Sequence, residues 1–195
     1  MNILFITFDF HEDNKPVKSV AVATLEGYIL DRVGDSQVDS FSFNMNDEYS
    51  IIFQQMASLK KKLKMDYDYI CVSFYVWNIR YLDNLIKIIK VTSPQSKIVA
   101  GGYKVNCMSI ERLVTVYDTI NHFIIGYAER SLEMLSIGKD TSRILNYKVN
   151  NENIPAIYST SLIEVNDNNI VRLGTKEDIL VNVHFVHVRI MITLI

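Results

Sequence analysis

The chain has 195 residues, 49% of them hydrophobic and 22% charged, so it can bury one sizeable core and an appendage. Its 20 lysines and arginines nearly balance its 22 aspartates and glutamates, which excludes a strongly basic surface for nucleic acid. The one basic cluster follows a helical pattern, where lysines stabilise the carboxyl end of a helix. Its members are Lys60, Lys61, Lys62 and Lys64. We therefore expect no nucleic-acid partner.

Cysteine usage and the first residues indicate where the protein works. The two cysteines, Cys71 and Cys107, are too few for a disulfide framework and fit a reducing cytoplasm. Residues 1–9 have neither a basic leader nor a small-residue cleavage site, so they are typical of a strand and not of a signal peptide. No apolar run is long enough to span a membrane, and we expect no membrane partner.

Strand-like and helix-like patterns alternate along the chain as far as Gly138. The predicted strands cover residues 3–8, 37–43, 68–75, 98–100 and 122–125; the predicted helices begin at residues 16–17, after a cap at 46–47, after Asn78, and at residues 110 and 129. The second strand alternates as an edge strand does, and the third is almost continuously apolar, as a strand buried on both faces should be. Five βα units predict an α/β fold, flavodoxin-like or Rossmann-like, with a five-stranded parallel sheet and helices on both faces.

The pattern changes beyond residue 140, where the predicted α/β domain of residues 1–140 ends. Residues 141–180 are expected to be a linker and a small β-hairpin appendage, because β-like runs at 154–158 and 170–173 flank a turn-forming cluster at 166–169. Residues 181–195 are mostly apolar and end the given sequence without a turn or polar cap. We interpret them as a truncated or frame-shifted remnant.

Small and polar residues follow two neighbouring strands at their carboxyl ends, where an open α/β sheet binds its ligands. Ser73 offers a hydroxyl, Trp77 a large flat surface, and Asn78 either a helix cap or an amide for a ligand. Gly101 and Gly102 follow the next strand, where missing side chains allow either close approach of a bulky ligand or a tight turn. The sequence predicts a ligand-binding crevice at this edge.

Four segments carry a resemblance to a known family. Residues 71–78 read Cys-Val-Ser-Phe-Tyr-Val-Trp-Asn, Pro94 follows the next helix, residues 98–103 read Ile-Val-Ala-Gly-Gly-Tyr, and residues 124–129 read Ile-Ile-Gly-Tyr-Ala-Glu. They resemble the cobalamin-binding domain that precedes the catalytic barrel in cobalamin-dependent radical SAM proteins, whose pattern is Ser-x-Tyr-x-Trp-Asn, then Gly-Gly-Pro, then Gly-Glu-Gly-Glu. The resemblance covers most of residues 1–175, including an Ile-Pro segment at 154–155.

The resemblance implies that cobalamin is the cofactor and that its corrin ring and nucleotide tail lie against the strand ends. The residues assigned to cofactor binding are Ser73, Tyr75, Val76, Trp77, Asn78, Gly101, Gly102, Tyr103, Gly126, Tyr127 and Glu129. Three positions depart from the family, since Tyr103 replaces a proline, and Tyr127 and Ala128 replace a glutamate and a glycine. The loop after the fifth predicted strand therefore lacks the acid and the glycine that the family has there.

The segment Asp9-Phe10-His11 resembles the Asp-x-His of a second cobalamin family, the methionine synthase-like one, whose histidine ligates cobalt. His11 is therefore a candidate axial metal ligand, with Asp9 as the acceptor that orients its imidazole. The alternative is an ordinary solvated loop histidine, because Asn14 stands where that family has a glycine.

A radical SAM protein holds its iron–sulfur cluster with Cys-x-x-x-Cys-x-x-Cys, and this chain has no such triplet. We expect no iron–sulfur cluster here and no catalysis by the isolated chain. The leading hypothesis is a cobalamin-binding module, the N-terminal fragment of such an enzyme, whose barrel is missing or supplied by a separate radical SAM chain. The alternatives are a degenerate α/β domain acting as a protein-interaction module or remnant, and a free-standing flavodoxin-like enzyme or receiver domain.

Overall fold

The structure, a computed structural model, describes residues 1–10 and 19–148 of the chain. The strands are β1 (Asn2–Asp9), β2 (Gln37–Asn44), β3 (Tyr69–Ser73), β4 (Lys97–Gly101), β5 (His122–Ile124) and β6 (Ile144–Leu145). The helices are α1 (Val20–Arg32), α2 (Tyr49–Lys62), α3 (Ile79–Thr92), α4 (Tyr103–Asn106), α5 (Ile110–Val116) and α6 (Glu129–Ser136). All strands pair in parallel, in the order β2-β1-β3-β4-β5-β6. This is the flavodoxin-like order with one strand added, and it confirms the predicted α/β class.

The alternation of side chains along β1 divides the interior into two cores. Leu4, Ile6 and Phe8 point to one face of the sheet, which packs against α2, α3 and α5. Ile3 and Phe5 point to the other face, which α1 and α6 cover. The sheet is thus buried between two helical layers. This burial explains the almost continuous apolar run of β3, whose first four residues are all buried.

Strand β2 lies at the edge of the sheet, as its alternating pattern predicted. A lysine of the basic cluster protects part of this edge, because the Lys62 ammonium donates to the carbonyl oxygen of Ser40 at 3.1 Å. The same ammonium lies 3.5 Å from the Asp39 carboxylate. Satisfying an open edge with a lysine is a common way to prevent pairing with another chain.

Strand β6 is a sixth strand where the sequence predicted five, and it lies in the segment assigned to the linker. Two residues are too few to show an alternating pattern, so pairing with β5 alone creates the strand. Arg143 fixes its position by donating from Nη2 to the carbonyl oxygens of Val114, Tyr117 and Asp118, at 3.2, 3.3 and 3.0 Å. A cation on the last carbonyls of a helix is stabilising, here at the end of α5.

Several helix boundaries differ from the predicted ones for local reasons. α1 begins after Ser19, whose hydroxyl accepts from the Val22 N–H at 3.2 Å, and the predicted start at residues 16–17 lies outside the described residues. α2 begins after Glu48, because the side chain of Asn44 binds the N–H of Asn46 at 3.0 Å and forms a turn there instead. The four-residue α4 was not predicted. None of the described helices is long and apolar enough to cross a bilayer.

The predicted hairpin at residues 154–173 and the apolar segment at 181–195 lie outside the described residues.

His122, at the start of β5, is a buried titratable group of the fold. Its Nδ1 donates to the carbonyl oxygen of Ser142 at 2.8 Å, which ties β5 to the chain entering β6. Burial lowers the pKa of His122 below its usual 6.5, and the Lys97 ammonium acts in the same direction. The bond to Ser142 and the Asp140 carboxylate oppose this shift without reversing it.

Acidification should therefore destabilise the protein through His122. The unfolded chain takes up a proton on this residue near pH 6.5, whereas the folded protein resists it, so stability present at neutral pH is lost as the pH falls from 6.5 toward the lower folded pKa. His122→Asn keeps a side-chain N–H for Ser142 and cannot titrate. Urea denaturation between about pH 7.5 and pH 5 should show a smaller loss of stability in this variant than in the natural chain, and equal losses would contradict the assignment.

Candidate functional site

The carboxyl ends of β1 and β3 form the switch point of this sheet. The chain leaves β1 toward α1 on one face and leaves β3 toward α3 on the other, since α1 and α3 belong to different helical layers. The crevice between two such connections is where ligands bind in open α/β folds. The β3–α3 loop, residues 74–78, lies at this crevice together with Gly102 and the first turn of α4.

A buried asparagine shapes the β3–α3 loop. The Oδ1 of Asn78 accepts from the Tyr75 N–H at 3.0 Å, and its Nδ2 donates to the carbonyl oxygen of Ser73 at 2.7 Å. Asn78 is fully buried, and although it occupies the predicted N-cap position, its side chain does not cap α3. The side-chain amide of Asn78 forms its hydrogen bonds within the β3–α3 loop and not with the first turn of α3. It also ends β3 two residues earlier than predicted, because the N–H of residue 75 is no longer free for the sheet.

The β3–α3 loop packs directly on the glycine pair that follows β4. The Phe74 N–H donates to the Gly101 carbonyl at 2.7 Å, and the Lys104 N–H donates to the Phe74 carbonyl at 3.0 Å. Gly102 has φ +110°, and a Cβ there would lie 2.9 Å from the Phe74 carbonyl oxygen. The close approach at Gly102 is therefore to the neighbouring loop, and we name this packing the Phe74–Gly102 contact.

Two stacked aromatic rings cover the end of β3. The rings of Tyr75 and Trp77 are nearly parallel, at 4°, with centroids 4.5 Å apart. The indole N–H of Trp77 donates to the Phe8 carbonyl on β1 at 3.0 Å, which fixes the pair across the switch point. Phe10 tilts onto Trp77 with centroids 5.9 Å apart. Hydrogen bonding and stacking together hold a flat aromatic surface at this edge.

Apolar side chains next to this pair are exposed. Phe10 follows β1, Val76 lies between the two stacked residues in the chain, and Tyr103 begins α4; they are 52, 56 and 53% exposed. With the stacked pair they form what we call the apolar rim. The rim is defined by Phe10, Tyr75, Val76, Trp77 and Tyr103. It consists of four aromatic rings and one aliphatic side chain.

The α1-facing side of the same edge is polar. Ser73 lies on the face of Thr7 and Asp9, and its Oγ is buried without a hydrogen-bond partner among the described residues. The Asp9 carboxylate is engaged, since its Oδ2 accepts from the hydroxyls of Thr7 at 2.6 Å and Ser42 at 3.0 Å. Burial raises the pKa of Tyr75, and the charge of Asp9 adds to this effect. The phenol of Tyr75 therefore stays protonated to a higher pH than an exposed phenol does.

The unpartnered Ser73 hydroxyl has three counterparts elsewhere. Gln55 Oε1, the Tyr81 hydroxyl and Ser131 Oγ are also buried without partners in the described part of the chain. Ser73 differs from them in its place at the carboxyl end of a central strand, beside Gly101. Among residues 1–10 and 19–148, a Cβ at Gly101 would contact only the Cβ of Ile124, at 3.9 Å.

The loop after β5 is joined to the end of α4 by a residue that the sequence did not single out. The side-chain oxygen of Asn106, at the end of α4, accepts from the Gly126 N–H at 2.8 Å, and Gly126 has φ +81°. Tyr127 is half-buried, and Glu129 is buried at the first position of α6. Asn106 gave no periodic or motif signal, because its role depends on a four-residue helix that was not predicted.

The sequence predicted one axial metal ligand, His11, with Asp9 as the acceptor that orients its imidazole. His11, the candidate axial ligand, lies outside the described residues. Within residues 1–10 and 19–148, no three histidine, cysteine, aspartate or glutamate side chains come together as a metal site. Asp9, the proposed orienting acceptor, is bonded to two hydroxyls as described above.

A groove of about 710 Å³ lies at the opposite, amino edge of the sheet. Most of its lining hydroxyls form hydrogen bonds within the protein. Tyr67 donates to the Asp39 carboxylate at 2.8 Å, Ser96 donates to the Tyr67 carbonyl at 2.7 Å, and Ser93 donates to the Leu63 carbonyl. The carboxyl edge, where Ser73 is unpartnered, is therefore the better candidate site in spite of the size of this groove.

No protein-family model and no curated protein matches this chain. Several solved structures are similar to it, among them the following two. A CheY-like protein (TadZ) from Pseudomonas aeruginosa PAO1 is 14% identical with a TM-score of 0.41, and the match covers 71% of this chain and 92% of that one. The periplasmic domain of a lipopolysaccharide acetyltransferase from Salmonella ser. Paratyphi A is 13% identical with a TM-score of 0.38, covering 74% and 65%. Likeness at this level does not indicate a function.

The Phe74–Gly102 contact makes a prediction about two adjacent glycines. Gly102→Ala should lower the free energy of unfolding by about 3 kcal/mol, because the added Cβ meets a backbone oxygen and the positive φ is strained for any L side chain. Gly101→Ala should change it by only about 1 kcal/mol or less, since its Cβ makes an ordinary contact.

Urea denaturation of the two variants measures this difference, with Gly34→Ala as the control because no atom of the described residues lies within 4 Å of a Cβ there. Equal stability of the Gly101 and Gly102 variants would show that the loops can separate without cost.

Proposed function

We propose that this chain is a cobalamin-binding module of the kind that accompanies radical SAM catalysis. The observation that carries the proposal is the composition of the carboxyl edge, where the exposed apolar rim stands beside a buried, unpartnered Ser73 hydroxyl. An apolar surface with a few convergent polar groups is the usual make-up of a cofactor site.

The apolar rim supports binding of a large planar ring. A corrin has broad faces that favour contact with aromatic and aliphatic side chains, and exposed Val76 and Tyr103 offer such contacts beside the Tyr75–Trp77 pair. Because hydrogen bonding to Phe8 holds Trp77 in place, the surface loses little conformational entropy when a ligand covers it.

The Ser73 hydroxyl supports binding of a polar group near the sheet. A buried hydroxyl without a partner costs about 1–3 kcal/mol, and a ligand atom that bonds it recovers this energy. Gly101 has no side chain to occupy the neighbouring space. The residues that would hold cobalamin are Ser73, Tyr75, Val76, Trp77, Gly101, Tyr103, Gly126 and Tyr127.

When bound, cobalamin supplies radical or group-transfer chemistry at its cobalt ion, and the residues of this chain bind and orient it. We place the module in the cytoplasm. Cys71 and Cys107 are both free, and burial raises the pKa of the Cys71 thiol, which keeps it protonated and unreactive.

Retention of hydroxocobalamin tests the proposal directly. The full chain is mixed with hydroxocobalamin, freed of excess by gel filtration, and examined by visible absorbance. Corrin absorbance should stay with the protein, and the fluorescence of Trp77, the one tryptophan of the chain, should be quenched. A colourless protein with unchanged fluorescence would overturn the proposal.

A charge on the apolar rim should weaken binding. Val76→Asp places a carboxylate in the exposed surface that would contact the ring, and we expect a loss of at least about tenfold in affinity, equivalent to about 1.4 kcal/mol. Val91→Asp is the matched control, because Val91 is 83% exposed near the far end of α3. Fluorescence titration of both variants measures the difference, and equal affinities would remove the rim from the binding site.

The second candidate is a degenerate α/β domain that binds a protein and no cofactor. Its support is that Asn78 and Gly102, two of the residues shared with the cobalamin family, are fully accounted for by contacts within the protein. Failure to retain hydroxocobalamin, in a chain that remains folded, would favour this candidate.

A further inference from the structure

We propose that Asn78 is a positioning residue that holds the Tyr75–Trp77 pair ready for a ligand and does not itself contact the ligand. The inference rests on the proposed function and assigns a different role to Asn78 from the one that the family resemblance implies.

The first step is that the amide of Asn78 is not accessible. Its side chain is buried completely, with 0% of its surface exposed. Its oxygen is occupied by the Tyr75 N–H and its nitrogen by the Ser73 carbonyl. A ligand could reach this amide only by breaking bonds that shape the loop.

The second step is that these bonds fix the backbone on both sides of Phe74. The amide holds the carbonyl of residue 73 and the N–H of residue 75, while the N–H and carbonyl of Phe74 itself bond Gly101 and Lys104. Four consecutive polar groups of the backbone are thereby paired in one arrangement. The β3–α3 loop consequently leaves the sheet in a defined direction.

The third step connects this direction to the aromatic pair. Tyr75 follows the held segment directly, and its ring lies 4.5 Å from that of Trp77, just before Asn78 in the chain. The indole is bonded in turn to Phe8 on β1. Asn78 therefore fixes the β3–α3 loop, and other residues of that loop, Phe74 and Trp77, bond it to the ends of β4 and β1. Such support behind a binding surface is what keeps it preorganised.

Two variants and one control separate positioning from general stability. Asn78→Ala removes both bonds, and Asn78→Ser, which can keep one of them, serves if the alanine variant does not fold. Asn121→Ala is the matched control, because the Asn121 side chain likewise accepts from a backbone N–H, that of Ile98 at 2.9 Å, at the amino end of β4.

Ligand-free protein gives the first measurement. Near-ultraviolet circular dichroism and Trp77 fluorescence should change in the Asn78 variants, because the stacked pair loosens, and should stay as in the natural chain for Asn121→Ala. Hydroxocobalamin titration gives the second, with at least about tenfold weaker binding for Asn78 variants at a temperature where they are folded, and unchanged binding for the control.

Nuclear magnetic resonance of the natural chain gives the third measurement. The side-chain amide signals of Asn78 and the slow exchange of the Tyr75 N–H should be retained when hydroxocobalamin is added, whereas a direct contact would shift the amide signals. Weaker binding with an unchanged Trp77 spectrum would also overturn the proposal. If the natural chain binds no cobalamin, the proposed function fails, and the Trp77 spectra of ligand-free variants still decide whether Asn78 positions the pair.

Discussion

The candidate site depends on the Phe74–Gly102 contact, in which one loop backbone lies against another with no side chain between them. A Cβ at Gly102 would be 2.9 Å from the Phe74 oxygen, so this approach exists only because the residue is glycine. The contact brings the ends of β3 and β4 together and allows Phe74 to bond both Gly101 and Lys104. These backbone hydrogen bonds link the β3–α3 loop, which carries Tyr75 and Trp77, to the chain that carries Tyr103.

The two edges of the sheet differ in how their polar groups are satisfied. At the amino edge the hydroxyls of Tyr67, Ser93 and Ser96 each bond a neighbouring loop or strand. At the carboxyl edge the Ser73 hydroxyl has no such partner among the described residues, and apolar groups face the solvent. Polar groups that pair within the protein support a fold, whereas an unpartnered hydroxyl beside exposed apolar groups leaves a contact for a ligand.

The fold class could be predicted from the sequence because burial sets the pattern of apolar residues in strands and helices. Most side chains of β1 and β3 are buried, so their pattern is clear. The sequence was insufficient for β6, whose two residues carry no pattern, and for α4, whose four residues are shorter than a recognisable helical repeat. In the site, the positions of Ser73 and Trp77 at a strand end followed from the apolar run before them. The partners of Asn78 did not, because an amide serves a cap, a loop or a ligand equally well, and only three-dimensional neighbours decide which.

Arg143 limits where the chain can be truncated without losing part of the sheet. Its guanidinium holds three carbonyl oxygens at the end of α5, and Tyr147 donates to the Asp140 carboxylate at 2.6 Å. A fragment cut at residue 140 would lose both ties and leave β5 as an unprotected edge. Expression boundaries chosen from the repeating βα pattern alone would therefore remove the strand that closes the sheet, and a cut placed after Tyr147 would keep it.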